Sequence, residues 1–368
     1  MSTSVVTVLG AGSWGTALAL HAARRGLRTR LWTRSREHLA AMQAEGRNSR
    51  YLADFPFPAN LEPGDDLSAA LADADLVILA IPSHALRTAL HAVREVQAGA
   101  ARAPLYLVAA KGVEVDSLAT MAEVVDQTLP PEHARNMAVL GGPSFAAEVA
   151  RGLPTAVVIA SHARPVAEQI QHMLGGSGVR AYITDDVVGV ELGGAFKNVI
   201  ALGAGVSDGA GLGQNSRAAL ITRGLAEIGR LCHALGANPA TLSGLAGLGD
   251  LVLTCTGGLS RNRRVGLALG QGQQLDAILK EMGMVAEGIN NTLSAHRLAQ
   301  REGVEMPITA MMHAILYEGI SVRAAVDAGL NVVDTAECYV DSEVAIGEAI
   351  GARRKEYYLF TKCGHTNV

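Results

Sequence analysis

The sequence predicts an α/β domain built on a parallel sheet, followed by an all-α domain, and three observations carry that reading. In the first half, short runs of aliphatic and β-branched residues alternate with helical patterns, which implies a sheet covered by helices on both faces. The first run leads straight into a glycine-rich turn, Gly10-Ala11-Gly12-Ser13-Trp14-Gly15. From about Asp185 onward the strand patterns stop, and Ala-, Gly- and Leu-rich stretches with helical spacing take over.

Taken in order, Val5–Leu9 reads as a buried strand and 15–25 as the helix after it. Further strands are expected at 28–33, 76–81, 105–109, 137–140 and 156–160, with helices such as 84–96 and 118–128 between them. Beyond 185 the strongest helical stretches are 187–204 and 218–235. The expected division is residues 1–185, 186–326 and an atypical tail, 327–368, with no internal repeat.

With 368 residues the chain has room for two domains and a large core. Hydrophobic residues at 49% against 18% charged indicate a globular protein. A net charge of −4 gives no reason to expect nucleic acid or an acidic membrane surface, although a local positive cluster can still serve a small anion. The four cysteines lack metal-like spacing, so reduced thiols of a cytoplasmic protein are expected. No charged leader precedes the first strand, and no apolar run is expected to reach the roughly 18 residues of a membrane span. The histidines share no spacing with carboxylates that suggests a metal site.

Gly10, Gly12 and Gly15 form G-x-G-x-x-G between a strand and a helix. That context fits a Rossmann-type dinucleotide site, where a pyrophosphate approaches free N–H groups at a helix start. The next strand ends in Arg34, Arg36 and Glu37. A guanidinium suits a 2′-phosphate and favours NADP over NAD, the alternatives being arginines that face solvent and a carboxylate on a ribose. Pro82–Ser83, Lys111–Gly112 and Gly141 to Ala146 follow later strands, at the edge where open sheets bind ligands.

In the helical half, Lys197 shares a face with Gly193, Gly194 and Ala201. Either those small residues leave space for a ligand, or the lysine snorkels from a tightly packed helix. Asp250 lies in an apolar run and needs a partner; Lys197 is one candidate and a helix-capping role the other. Ser260, Arg261, Asn262, Arg263 and Arg264 follow a glycine pair and suit a phosphate monoester, or form a solvated basic patch.

Together, GAGSWGTALA, AAKGVE, GGPSFAAEVARGLPTA, ELGGAFKNVIALGAGVSDG, GLAGLGDLVLTCTGGLSRNRRVG, VAEGINNT and VEMPIT closely resemble the bacterial NAD(P)-dependent glycerol-3-phosphate dehydrogenases, over about residues 5–326. The resemblance implies reversible hydride transfer between NAD(P)H and dihydroxyacetone phosphate, giving sn-glycerol 3-phosphate for glycerophospholipid synthesis. It implies Lys197 as the general acid and base. Ser13, Trp14, Arg34, Ala146, Val285 and Glu287 would contact the cofactor, and Gly142, Ser144, Asp250, Ser260 and Asn262 the substrate. Lys111 and Arg261 would reach both. Val285 and Glu287 rest on the resemblance alone. The expected partner is a small phosphate substrate, and the expected assembly a homodimer.

The tail departs from that pattern. AGLNVVDTAECYVDSEVAIGEAIGARRKEYYLFTKCGH resembles an early piece of an aldo-keto reductase, with Asp334, Tyr339 and Lys362 at positions matching catalytic residues there. A closed barrel needs about 250 residues, so no second activity is expected of this segment.

Overall fold

The computed structural model describes residues 4–99, 102–282, 286–329, 332–336 and 358–362. Residues 1–313 form one compact unit and 314–368 a second.

The first unit holds an eight-stranded sheet: β1 (Val5–Leu9), β2 (Arg28–Trp32), β3 (Leu61–Gly64), β4 (Leu76–Leu79), β5 (Leu105–Val108), β6 (Met137–Gly141), β7 (Thr155–Ala160) and β8 (Val179–Thr184). Its order is β8-β7-β6-β5-β4-β1-β2-β3. Strands β1 to β6 run parallel. Strand β7 pairs antiparallel with β6, and β8 parallel with β7, so the wholly parallel sheet read from the sequence is corrected at this edge. The only helix between β6 and β7 is Ala146–Arg151. At about 9 Å it is too short to return the chain along a five-residue strand of roughly 17 Å, and the chain turns back beside β6.

The inner strands were legible because both their faces are covered. Every residue of β1, β4 and β6 is buried, giving continuous apolar runs. Strands β3 and β8 lie at the two edges and are only partly buried. Pro63 in β3 is tolerated there because an edge strand can spare an N–H. Helix α1 (Ser13–Arg24) covers one face, packing Ala17 and Leu18 on Val6 and Val8. Helix α2 (Ser83–Val96) covers the other with Leu86 and Leu90.

The chain runs from β1 out to β2 and β3, then crosses to β4 on the other side of β1. The carboxyl ends of β1 and β4 therefore flank the point where strand order reverses, the usual crevice for a ligand.

After Thr184 every element up to Gly303 is helical. The main ones are α3 (Val187–Gly209), α4 (Gly213–Ala234), α5 (Asp250–Thr256), α6 (Arg261–Gly270) and α7 (Glu287–Glu302). Helix α3 corrects one sequence expectation, because by length and composition it is apolar enough to cross a membrane. Its apolar character has another cause: 94% of that stretch is buried inside the protein, at the centre of the helical region. In the second unit, Val332–Ala336 and Tyr358–Lys362 pair in parallel, with Asp334 opposite Phe360 and Ala336 opposite Lys362. Tyr339 lies outside the described residues.

Candidate active site

The glycine-rich turn is built by close approach. Gly10 has φ +114°, and a Cβ there would lie 2.5 Å from the Ala80 carbonyl oxygen; one on Gly15 would lie 1.8 Å from the Gly10 oxygen. A Cβ on Gly12, by contrast, would meet nothing within 4 Å. Gly12 precedes the first helical residue of α1, so the unsatisfied N–H groups of that helix start face room for an anion. Ser13 and Trp14 belong to this first turn. The Trp14 ring packs on the core and its Nε1 is buried without a partner, so its backbone N–H is what it offers a ligand.

Beyond β2 the charged residues have separate roles. Arg36 pairs with Asp65 at 3.6 Å. Glu37 sits in the first turn of the helix Arg36–Glu45, where a carboxylate complements the helix dipole. Arg34 is exposed and makes no ion pair among the described residues.

At the same sheet edge, Lys111 follows β5 and reaches into the helical region. Its Nζ donates to Asp250 Oδ2 at 2.8 Å and to the Gly142 carbonyl at 3.0 Å. Ser144 Oγ donates to that same carbonyl at 3.0 Å. From α3, Lys197 Nζ donates to Asp250 Oδ1 at 2.5 Å and to Thr254 Oγ1 at 2.9 Å. Thr254 in turn donates to the Asp250 backbone carbonyl at 2.6 Å. One carboxylate, 1% exposed, thus holds two ammonium groups, and the cluster keeps a net positive charge. Each ammonium has three N–H groups, two of them used here.

Asp250 starts α5, directly after a five-residue π-helical turn, Leu245–Gly249. Both alternatives read from the sequence were too narrow, since its side chain serves Lys197 and Lys111 together. The space expected beside Gly193 and Gly194 is filled instead. A Cβ on Gly193 would lie 2.8 Å from the Ala246 carbonyl oxygen, and one on Gly194 would touch the Lys111 stem at 3.6 Å. The glycines let Lys111 and residue 246 approach α3.

Burial pulls the Lys197 ammonium down to about 8; Asp250 opposes this and Lys111 adds to it. Burial acts to raise the Asp250 carboxyl, but Lys111 and Lys197 outweigh it and hold it below the usual range. The cluster therefore pairs a firm carboxylate with an amine that holds its proton less tightly than an ordinary lysine.

The run 260–264 is divided among tasks. Ser260 Oγ caps α6 by accepting from Arg263 N–H at 3.2 Å. Asn262 donates to Asn198 Oδ1 at 2.8 Å and accepts from Gly288 N–H at 3.0 Å. Arg263 binds Asp208, with Nη2 2.6 Å from Oδ2, and Arg264 is exposed. Arg261 opens α6 with much of its side chain exposed; partial desolvation of its guanidinium lowers its pKa against the attraction of Glu287. Glu287 accepts from Ser83 Oγ at 2.7 Å and from Ser83 N–H at 3.2 Å. Ala146 opens the helix after β6, and Val285 lies outside the described residues.

Sequence reasoning missed Thr254, Asn198 and Asn291. Asn291 is fully buried and donates to the Lys111 and Ala195 carbonyls at 3.2 and 3.0 Å. Helical spacing carried a signal for one of them: Thr254 is four residues after Asp250, on the same helix face.

The family models for the N-terminus and the C-terminus of NAD-dependent glycerol-3-phosphate dehydrogenase match residues 5–167 and 186–327. The aldo/keto reductase family model matches residues 316–368, beginning earlier than the expected tail. The NAD(P)+ glycerol-3-phosphate dehydrogenase of Anaeromyxobacter dehalogenans is 52% identical over 88% of this chain and 96% of its own length. That of Thioalkalivibrio sulfidiphilus is 51% identical over 89% and 96%. A crystal structure of glycerol-3-phosphate dehydrogenase from Coxiella burnetii matches with a TM-score of 0.83 at 43% identity, covering 88% of this chain and 98% of that one.

Proposed function

The chain belongs to the NAD-dependent glycerol-3-phosphate dehydrogenases, and from that premise we propose that it interconverts dihydroxyacetone phosphate and sn-glycerol 3-phosphate with Lys197 as its proton donor and acceptor. The observation that carries this reading is the buried Lys197–Asp250–Lys111 cluster at the carboxyl edge of the sheet. The product would supply glycerophospholipid synthesis in the cytoplasm.

The open space at Gly12 and the free start of α1 fit the pyrophosphate of NAD(P). Bound there, NAD(P)H supplies the hydride that reduces the ketone carbon. As the carbon is reduced, negative charge grows on the ketone oxygen. In our reading the remaining N–H of Lys197 meets that charge and delivers the proton, leaving a neutral amine. Thr254 and Asp250 hold Nζ in place, and Asp250 makes the returning proton favourable. Lys111 adds positive charge, and Arg261 anchors the phosphate so that the carbonyl cannot drift. The exposed Arg34 supports a preference for NADPH through its 2′-phosphate.

Steady-state oxidation of NADPH and of NADH in the presence of dihydroxyacetone phosphate tests the reading, with a 3-oxo acid as the competing substrate. Turnover of the phosphate and not of the acid is expected; the reverse would reassign the substrate. Sedimentation equilibrium checks the expected homodimer.

A further inference from the structure

Asn48 is fully buried behind the glycine-rich turn, at the start of a small hairpin in which Arg47 pairs with Pro56. All three of its side-chain positions face partners. Nδ2 donates to the Ala11 carbonyl at 2.9 Å and to Thr16 Oγ1 at 2.8 Å, while Oδ1 accepts from His38 Nε2 at 2.9 Å. The orientation is forced. A carbonyl can only accept, so Nδ2 must face Ala11, Oδ1 must face His38, and His38 must carry its proton on Nε2. His38, 8% exposed, belongs to the helix Arg36–Glu45 and stacks edge-on against Tyr51 at 5.4 Å.

The consequence follows from peptide geometry. In a trans peptide the C=O of one residue and the N–H of the next point in opposite directions. Holding the Ala11 carbonyl inward against Asn48 therefore turns the Gly12 N–H the opposite way, away from Asn48. Thr16 ties the same amide to α1, so the turn and the helix start move as one body.

We propose that Asn48, oriented by His38, is the positioning residue of the cofactor site: it aims the Gly12 N–H at the dinucleotide pyrophosphate and so serves NADPH and NADH alike. The inference rests on the glycine-rich turn being the cofactor site.

Dissociation constants for NADPH and NADH, measured by fluorescence titration, test it in three variants whose folding is checked by thermal melting. Asn48→Asp replaces the inward donor by an acceptor facing the Ala11 carbonyl. It should weaken both nucleotides by about tenfold or more, as expected for a lost buried hydrogen bond, while kcat at saturating nucleotide stays within about twofold of wild type. His38→Phe keeps the ring against Tyr51 and removes only the donor, and should weaken both nucleotides about threefold, at the lower end of the same range. If Asn48→Asp does not fold, His38→Phe carries the test. Unchanged affinity in a folded variant, a loss confined to NADPH, or a fall in kcat without weaker binding would each overturn the proposal. Gly12→Val projects a side chain from a position where a Cβ meets nothing within 4 Å and separates the turn itself from its support by Asn48. Intact binding in Gly12→Val would mean that the cofactor sits elsewhere; binding lost there but kept in both other variants would defeat the role of Asn48 alone.

Discussion

At the scale of single residues, the chemistry depends on where one proton sits. Because burial lowers Lys197 to about 8, the proton donor proposed for reduction is lost as pH rises through that value. The kcat/KM for dihydroxyacetone phosphate should therefore be level below about pH 8 and fall above it, whereas glycerol 3-phosphate oxidation, which needs the neutral amine, should rise through the same region. Stopped-flow rates from pH 6 to 10 check both limbs, and parallel profiles in the two directions would contradict the assignment. Arg34 gives a second prediction at this scale. Arg34→Asp removes the guanidinium from the end of β2 and should weaken NADPH by about tenfold or more, in line with 1.5–3 kcal/mol for a charged hydrogen bond, with NADH much less affected. Equal losses, measured by titration, would show that Arg34 does not read the 2′-phosphate. Arg34 could be proposed from the sequence because the role assigned to it depends only on where a strand ends. Thr254 and Asn198 were not, because a hydroxyl or amide acquires its task only when folding brings Lys197 or Asn262 against it.

At the scale of elements, α3 and α6 carry the proposed proton donor and phosphate anchor, and they interlock backbone to backbone. A Cβ on Gly205 would lie 2.1 Å from the Arg263 carbonyl oxygen, and one on Gly266 2.0 Å from that of Leu202. Asp208 near the end of α3 then clasps Arg263 on α6 and Arg217 on α4. This interlock holds Lys197 and Arg261 at a set separation. Gly266→Ala should push the helices apart at a cost of roughly 1–3 kcal/mol, as overpacking does. It should also raise KM for dihydroxyacetone phosphate more than that for NADPH. Thermal denaturation with parallel kinetics checks this, and an unchanged Tm would show that the helices have slack. The sequence displayed the glycines but not their partners, because helical spacing gives the face of one helix and says nothing of which helix meets it. The edge strands β3 and β8 escaped notice for a related reason, since half-covered strands lack the unbroken apolar run that marked β1 and β4.

At the scale of the whole molecule, we propose a division of labour in which residues 1–185 hold most of the nucleotide and 186–326 most of the substrate, with a few residues of each reaching the other ligand. The residues placed at either ligand all fall within 1–326, and the dehydrogenase family models end at residue 327. A chain truncated after Val326, within the helix Val322–Gly329, should therefore keep kcat and both KM values close to those of full length. A larger fall in kcat would give the segment matched by the aldo/keto reductase model a part in this reaction. That segment was visible in the sequence as a break in one family's pattern and the start of another's.

Whether Lys197 moves the proton is read from NADPH oxidation with dihydroxyacetone phosphate in Lys197→Met, a change that keeps the stem and deletes the ammonium. A fall in kcat of at least about 10²-fold is expected, the usual worth of a general acid, with NADPH affinity largely retained because the proposed nucleotide site is the turn after β1. A variant with near-wild-type kcat would contradict that role.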